Sequence, residues 1–135
     1  MIEELNFENM NNNQKDLHTV NVIKGLVMDG VRKANSGHPG GPMSLVDFTY
    51  ILYSEFLTFD PKNPDWENRD RVVLSVGHTC MLIYSILFLC GFLKKEDLKN
   101  FRQLDSLTPG HPEIHTPGID ANTGPLGQGV GMGIG

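Results

Sequence analysis

RVVLSVGHTCMLIYSILFLCG, residues 71–91, decides the fold class. Its first six residues, RVVLSV, are β-branched and mostly apolar, the composition of a short interior parallel strand. Gly77-His78 then stands where a strand tip turns into a helix. Residues 79–90 are apolar all round, which predicts a buried helix, and Gly91 supplies its stop. Strand, turn and buried helix predict an α/β fold, a parallel sheet with flanking helices, mostly helical in the portion present. A single strand makes no sheet, so its partners are expected outside these 135 residues.

Towards the N-terminus, Leu17, Val20, Ile23, Val27, Val31 and Ala34 recur at spacings of three and four. They predict a helix from about Gln14 to the Asn35-Ser36-Gly37 stop, with glycine ending it. Residues 1–13, rich in Glu and Asn, read as a flexible leader. After SGHPGGPMS (residues 36–44), Ser44 is expected to cap a helix over 45–56, with Asp47 closing a capping box. That helix is apolar on nearly every side and is expected to be buried. Residues 58–70 are a polar, proline-broken loop.

Towards the C-terminus, residues 94–103 predict a short amphipathic helix with Leu98 and Phe101 inward. Residues 108–135 hold eight of the 15 glycines and four of the 8 prolines. A loop this long in a compact domain is usually functional, and Ile114, Ile119, Leu126, Val130 and Met132 argue against a disordered tail. Residues 127–135 read as the first turns of a packed helix that stops without a cap. The expected organisation is therefore a leader, then residues 14–135 as the N-terminal part of a domain truncated at its C-terminal end.

A net charge of -5 and a pI near 5.4 argue against nucleic acid or a membrane surface as partner. The two cysteines, Cys80 and Cys90, lie in the apolar run as small hydrophobes, which fits a reduced, cytoplasmic protein. The longest apolar run, residues 81–89, is far short of the ~20 residues that span a bilayer.

Three histidines are flanked by Gly or Pro: His38 in GHPG, His78 in VGHT and His111 in GHPE. Rigid, glycine-flanked backbone lets an imidazole project into a cleft while a ligand approaches the main chain. Such histidines donate to phosphate or carbonyl oxygen, or move a proton near neutral pH. A strand's C-terminal tip, where His78 stands, is where α/β sites lie. His18 has no such context and His115 is intermediate. His111 and His115 have a metal-ligand count but span a proline in a loop, and no nucleotide-binding loop follows a strand. In GPLGQG, Gly124 and Gly127 permit a tight turn and Leu126 offers an apolar edge to a flat heteroaromatic ring. The same residues suit equally the start of a tightly packed helix.

SGHPGGPMS (36–44), RDRVVLSVGHTCMLIYSIL (69–87), KNFRQLDSLTPGHPE (99–113) and TGPLGQG (123–129) together resemble the N-terminal part of the transketolase family, of the bacterial and yeast type. The likeness runs from about Gln14 to Gly135. It implies a thiamine diphosphate-binding fold and reversible transfer of a two-carbon ketol unit from a ketose phosphate to an aldose phosphate, in the pentose phosphate pathway. It also implies thiamine diphosphate with Mg2+, sugar phosphate substrates, and a homodimer with the cofactor at the subunit interface. Carried over by position, His38 would contact substrate near the reacting carbonyl and assist proton transfer. His111 would hydrogen-bond the substrate's first hydroxyl. His78 would touch the diphosphate and thiazolium region, and Gly124, Pro125 and Leu126 would line the aminopyrimidine.

Two positions depart from the family pattern: Val76 stands where Asn is usual, and Asp105 where His or Gly is common. The family's metal motif, a GDG followed by Asn roughly one βαβ unit later, is expected beyond Gly135, so no metal ligand is assigned here. The activating glutamate belongs to a second domain. The chain alone is accordingly expected to be inactive without the remainder of the enzyme or a C-terminal subunit. Dihydroxyacetone synthase shares most of these motifs, whereas deoxyxylulose-phosphate synthase typically lacks TPGHPE. A non-catalytic interaction subunit is the alternative of another class, and the intact histidines speak against it.

Overall fold

The computed structural model of the chain describes residues 7–135. Helix α1 (Asn12–Ala34) opens on a reciprocal cap, in which Asn11 Oδ1 accepts from Gln14 N and Gln14 Oε1 accepts from Asn11 N. It therefore starts two residues before the expected Gln14, after a 3-10 turn at Phe7–Asn9. The rest of the expected leader, residues 1–6, lies outside the described residues. Its end is set by Asn35, not glycine: Asn35 takes the left-handed conformation at φ 49°. Asparagine tolerates that region because its short polar side chain bonds locally.

Helix α2 (Gly40–Ile51) starts earlier than expected and runs on as a π-helical turn, Leu52–Phe56. Ser44 is not its cap. Its hydroxyl donates backwards to the Gly40 and Gly41 carbonyls at 3.0 and 3.1 Å. The first turn instead holds Pro42, whose missing N–H leaves one fewer donor to satisfy there. Nor is α2 buried all round: Val46 and Thr49 face the core, but Phe48, Ile51 and Phe56 stand exposed. Helices α1 and α3 and its own π-helical continuation pack against it.

Helix α3 (Cys80–Cys90) is the centre of the core, with every residue from Cys80 to Leu87 buried. Gly91 ends it in the left-handed region at φ 94°. Gly30 of α1 has no Cβ where the Met81 thioether of α3 sits, which brings the two helices together. Helix α4 (Lys95–Lys99) is shorter than the expected 94–103, although Leu98 and Phe101 are buried as expected. Beyond its Asn100 cap the chain turns at Arg102, whose φ is 61° and whose N–H donates to the Thr108 carbonyl. Helix α5 (Gln128–Ile134) follows the glycine-rich loop.

Among the described residues there is no strand. Residues 71–76, expected to be a strand, do not form one, and the parallel sheet is not seen among the described residues. The physical reason is the lack of a ladder partner. Backbone groups there are satisfied by side chains: Val72 N donates to Asp120 Oδ2 (2.9 Å), and the Leu74 carbonyl accepts from Thr123 Oγ1 (2.7 Å). Asp120 also pairs with Arg69 through both carboxylate oxygens and lies 3.6 Å from Arg71 Nε. The segment is thus tied to the C-terminal loop and enters α3 through a 3-10 turn, Gly77–Thr79.

Candidate functional site

The four motif-bearing loops meet on one side of the helical core. The His38 and His78 rings stand edge to face, with centroids 5.0 Å apart. Beneath them Gly41, at the start of α2, has no Cβ where the Thr79 side chain sits, so the His38 loop seats directly on the turn carrying His78. Gly77, immediately before His78, meets the Thr123-Gly124 backbone: a Cβ there would fall 2.9 Å from Gly124 N. Gly124 in turn faces the His111 ring, whose Cγ lies 3.5 Å from where a Cβ would stand. Gly129, in the first turn of α5, packs against the Ser75 backbone. His38, His78, Gly124 and His111 are therefore one continuous series of contacts, although they span residues 38 to 124 of the sequence.

Helix α3 is the floor of this surface. The Tyr84 hydroxyl donates to the His111 carbonyl at 3.0 Å, and Cys80 Sγ donates to the Gly110 carbonyl at 3.1 Å. Burial pushes the Cys80 thiol up to about 12, with the Arg102 charge opposing, so it stays a thiol donor. Burial also raises the Tyr84 phenol, which keeps its proton for His111. Thr108 and Thr116 are fully buried and brace the loop from within, their hydroxyls donating to the Asp97 and Leu107 carbonyls.

His38 and His111 are exposed and His78 half-buried, so all three can meet a ligand from solvent. Pro125 is also exposed, and Leu126 is 72% exposed. An open cleft of about 580 Å³ runs beside His111 and is lined by Arg102, Gln103, Leu104, Pro109 and Gly110. An apolar cavity between α1, the π-helical turn and α3 lies apart from the histidines, near Ile23, Tyr53 and Ile86. His115 turns to Glu113 (3.4 Å) and the Ser106 carbonyl (3.2 Å), and His18 packs on Phe7. The expected residues are thus brought together. Sequence reasoning missed the residues that join them, Gly77, Thr79 and Tyr84, though Gly77 is signalled by its place beside His78.

The chain belongs to the family described as transketolase, thiamine diphosphate binding domain, whose model matches residues 15–135. It is 58% identical over 118 residues to a transketolase of Halalkalibacterium halodurans, covering 86% of this chain and 18% of that protein. The Campylobacter jejuni transketolase structure superposes with a TM-score of 0.84 at 56% identity, over 90% of this chain and 19% of that one. The Pichia stipitis transketolase in complex with sedoheptulose 7-phosphate gives 0.82 at 50% identity, over 85% of this chain and 17% of the other. The chain thus spans less than one fifth of the length of these relatives.

Proposed function

We propose that this chain forms one wall of the thiamine diphosphate site of a transketolase, which transfers a two-carbon ketol unit between sugar phosphates. The observation that carries this reading is the contact series His38–His78, Gly77–Gly124 and Gly124–His111. Family membership and the sugar phosphate bound in the Pichia stipitis relative support it.

The residues present fit the group. Gly124 lacks the Cβ that would stand over the approach beside His111, and the exposed Leu126 gives a flat ring an apolar face. When bound, thiamine diphosphate supplies the electron sink that cleavage next to a ketone requires. Gly124, Pro125 and Leu126 would line its aminopyrimidine, and His78 would meet the diphosphate and thiazolium region. His38 and His111 hold the substrate's carbonyl and first hydroxyl, and His38 assists proton movement there. Imidazole N–H donors aimed at an oxygen where charge develops lower the barrier most when they are fixed in advance. Here Tyr84 and Cys80 fix the His111 loop from below.

The metal ligands for Mg2+ and the opposite wall come from the remainder of the enzyme or a C-terminal subunit, in a cytoplasmic homodimer. Calorimetric titration with thiamine diphosphate and Mg2+ tests this division. The complete polypeptide is expected to bind, and the chain alone is expected to show no micromolar affinity. Micromolar binding by the chain alone would contradict the one-wall reading.

A further inference from the structure

Arg102 stands between two of these loops and has no part in the roles above. Its backbone is held in the left-handed region, at φ 61°, which a bulky side chain adopts rarely. The hydrogen bond from its N–H to the Thr108 carbonyl, at 2.9 Å, keeps it there. Thr108 is itself anchored, fully buried and bonded to the Asp97 carbonyl.

What the Arg102 side chain reaches is specific. Nη1 donates to Ser36 Oγ at 2.6 Å, two residues before His38. The guanidinium also lies against Gly110, the residue before His111: a Cβ there would fall 3.3 Å from Nε and 3.6 Å from Nη2. Phe101 adds a second tie to the same loop. Its ring stands 5.6 Å from the guanidinium carbon, and its edge abuts Gly37.

Two further facts separate Arg102 from an ordinary surface arginine. Its Nε is buried without a hydrogen-bond partner. Among the described residues the ion pairs engage Lys24, Arg69, Arg71, Lys99 and His115, and none engages Arg102. A charge kept partly buried without a carboxylate is unfavourable for stability alone. The planar fork is suited to spanning two loops at a fixed angle, which lysine cannot copy.

We infer that Arg102 is a positioning residue that registers the His38 loop against the His111 loop. The inference rests on the site reading above, and Arg102 acts through Ser36 and Gly110 rather than on the reacting atoms. In the complete enzyme, Arg102→Met is expected to lower kcat by about tenfold or more, since small misplacements of catalytic groups cost that much. Thiamine diphosphate affinity is expected to stay unchanged, because Arg102 touches Ser36 and Gly110 rather than Gly124, Leu126 or His78. Arg102→Lys keeps the charge but not the fork and is expected to rescue little. Ser36→Ala, the milder change, is expected to lower kcat in the same direction by less.

Unchanged kcat in Arg102→Met would overturn the inference. So would a joint fall of kcat and cofactor affinity that tracks a lower denaturation midpoint, since that describes general loosening. If the unsubstituted enzyme shows no ketol transfer, the site reading fails separately. Arg102 is then tested by denaturation of the Ser36→Ala, Arg102→Met and double variants. If Ser36 acts only through Arg102, the double variant melts where Arg102→Met does, and additive shifts would overturn the inference.

Discussion

Gly77 and Gly124 meet backbone to backbone, and this contact joins the His78 turn to the GPL loop. The two glycines predict opposite behaviour on substitution. A methyl at Gly77 would fall 2.9 to 3.1 Å from backbone atoms that have no rotamer to change. Gly77→Ala is therefore expected to destabilise by about 1–3 kcal/mol, read by chemical denaturation. At Gly124 the methyl would meet only the His111 ring, at 3.5 to 3.9 Å, an ordinary contact. Gly124→Ala is expected to change stability by no more than about 0.5 kcal/mol yet weaken thiamine diphosphate binding in the complete enzyme. Residues of this kind were partly legible. His38, His78 and His111 announced themselves by their Gly and Pro neighbours. Arg102 did not, because its partner Ser36 is distant in sequence and its conformation is set by Thr108.

Among the elements, α3 was the most legible, since an apolar run closed by glycine states both its burial and its end. The same burial makes it pH-sensitive. Burial pushes the Cys80 thiol from 9.0 up to about 12 and the Cys90 thiol up to about 11. Tyr84 and Tyr53 are also raised by burial. With folded values above unfolded ones, these groups contribute no pH dependence below about pH 9, where both states hold their protons. Above it the unfolded chain ionises first, so stability falls as pH rises towards 11 to 12. Urea midpoints are expected to drop between about pH 9 and about pH 11, with a shallower drop in Cys80→Ala. The 71–76 segment was the least legible element. Its residues have strand composition, but a ladder needs a partner backbone, and here Asp120 and Thr123 take that place. Ser44 misled for a related reason, because proline in the first turn of α2 relieves the need for a side-chain cap.

At the scale of the whole molecule, Asp120 ties the 58–76 loop to the glycine-rich C-terminal run. Its side chain and that of Arg69 are 10% and 11% exposed. Removing one partner leaves a buried charge, so Asp120→Ala is expected to cost about 3–5 kcal/mol in denaturation. Asp120→Asn, which keeps the hydrogen-bonding shape, is expected to cost less. Because Asp120 also holds Val72, this loss is expected to loosen the approach to Gly77 and so the site. The α/β class was read from strand composition, yet the described part of the chain is helical. The exposed Phe48, Ile51 and Phe56 show that α2 and its π-helical continuation have apolar surface that the described residues do not cover. The loops converge nonetheless, because their glycines let backbones touch without a sheet between them.

The central claim is that this convergence is one wall of a transketolase site. Ketol transfer from xylulose 5-phosphate to ribose 5-phosphate, measured in the complete polypeptide with thiamine diphosphate and Mg2+, tests it most directly. The unsubstituted enzyme is predicted to be active, and His38→Ala and His111→Ala each to lose about 10²-fold or more in kcat/KM while still folded. Transfer at the unsubstituted rate in both variants, or none in the unsubstituted enzyme, would contradict it.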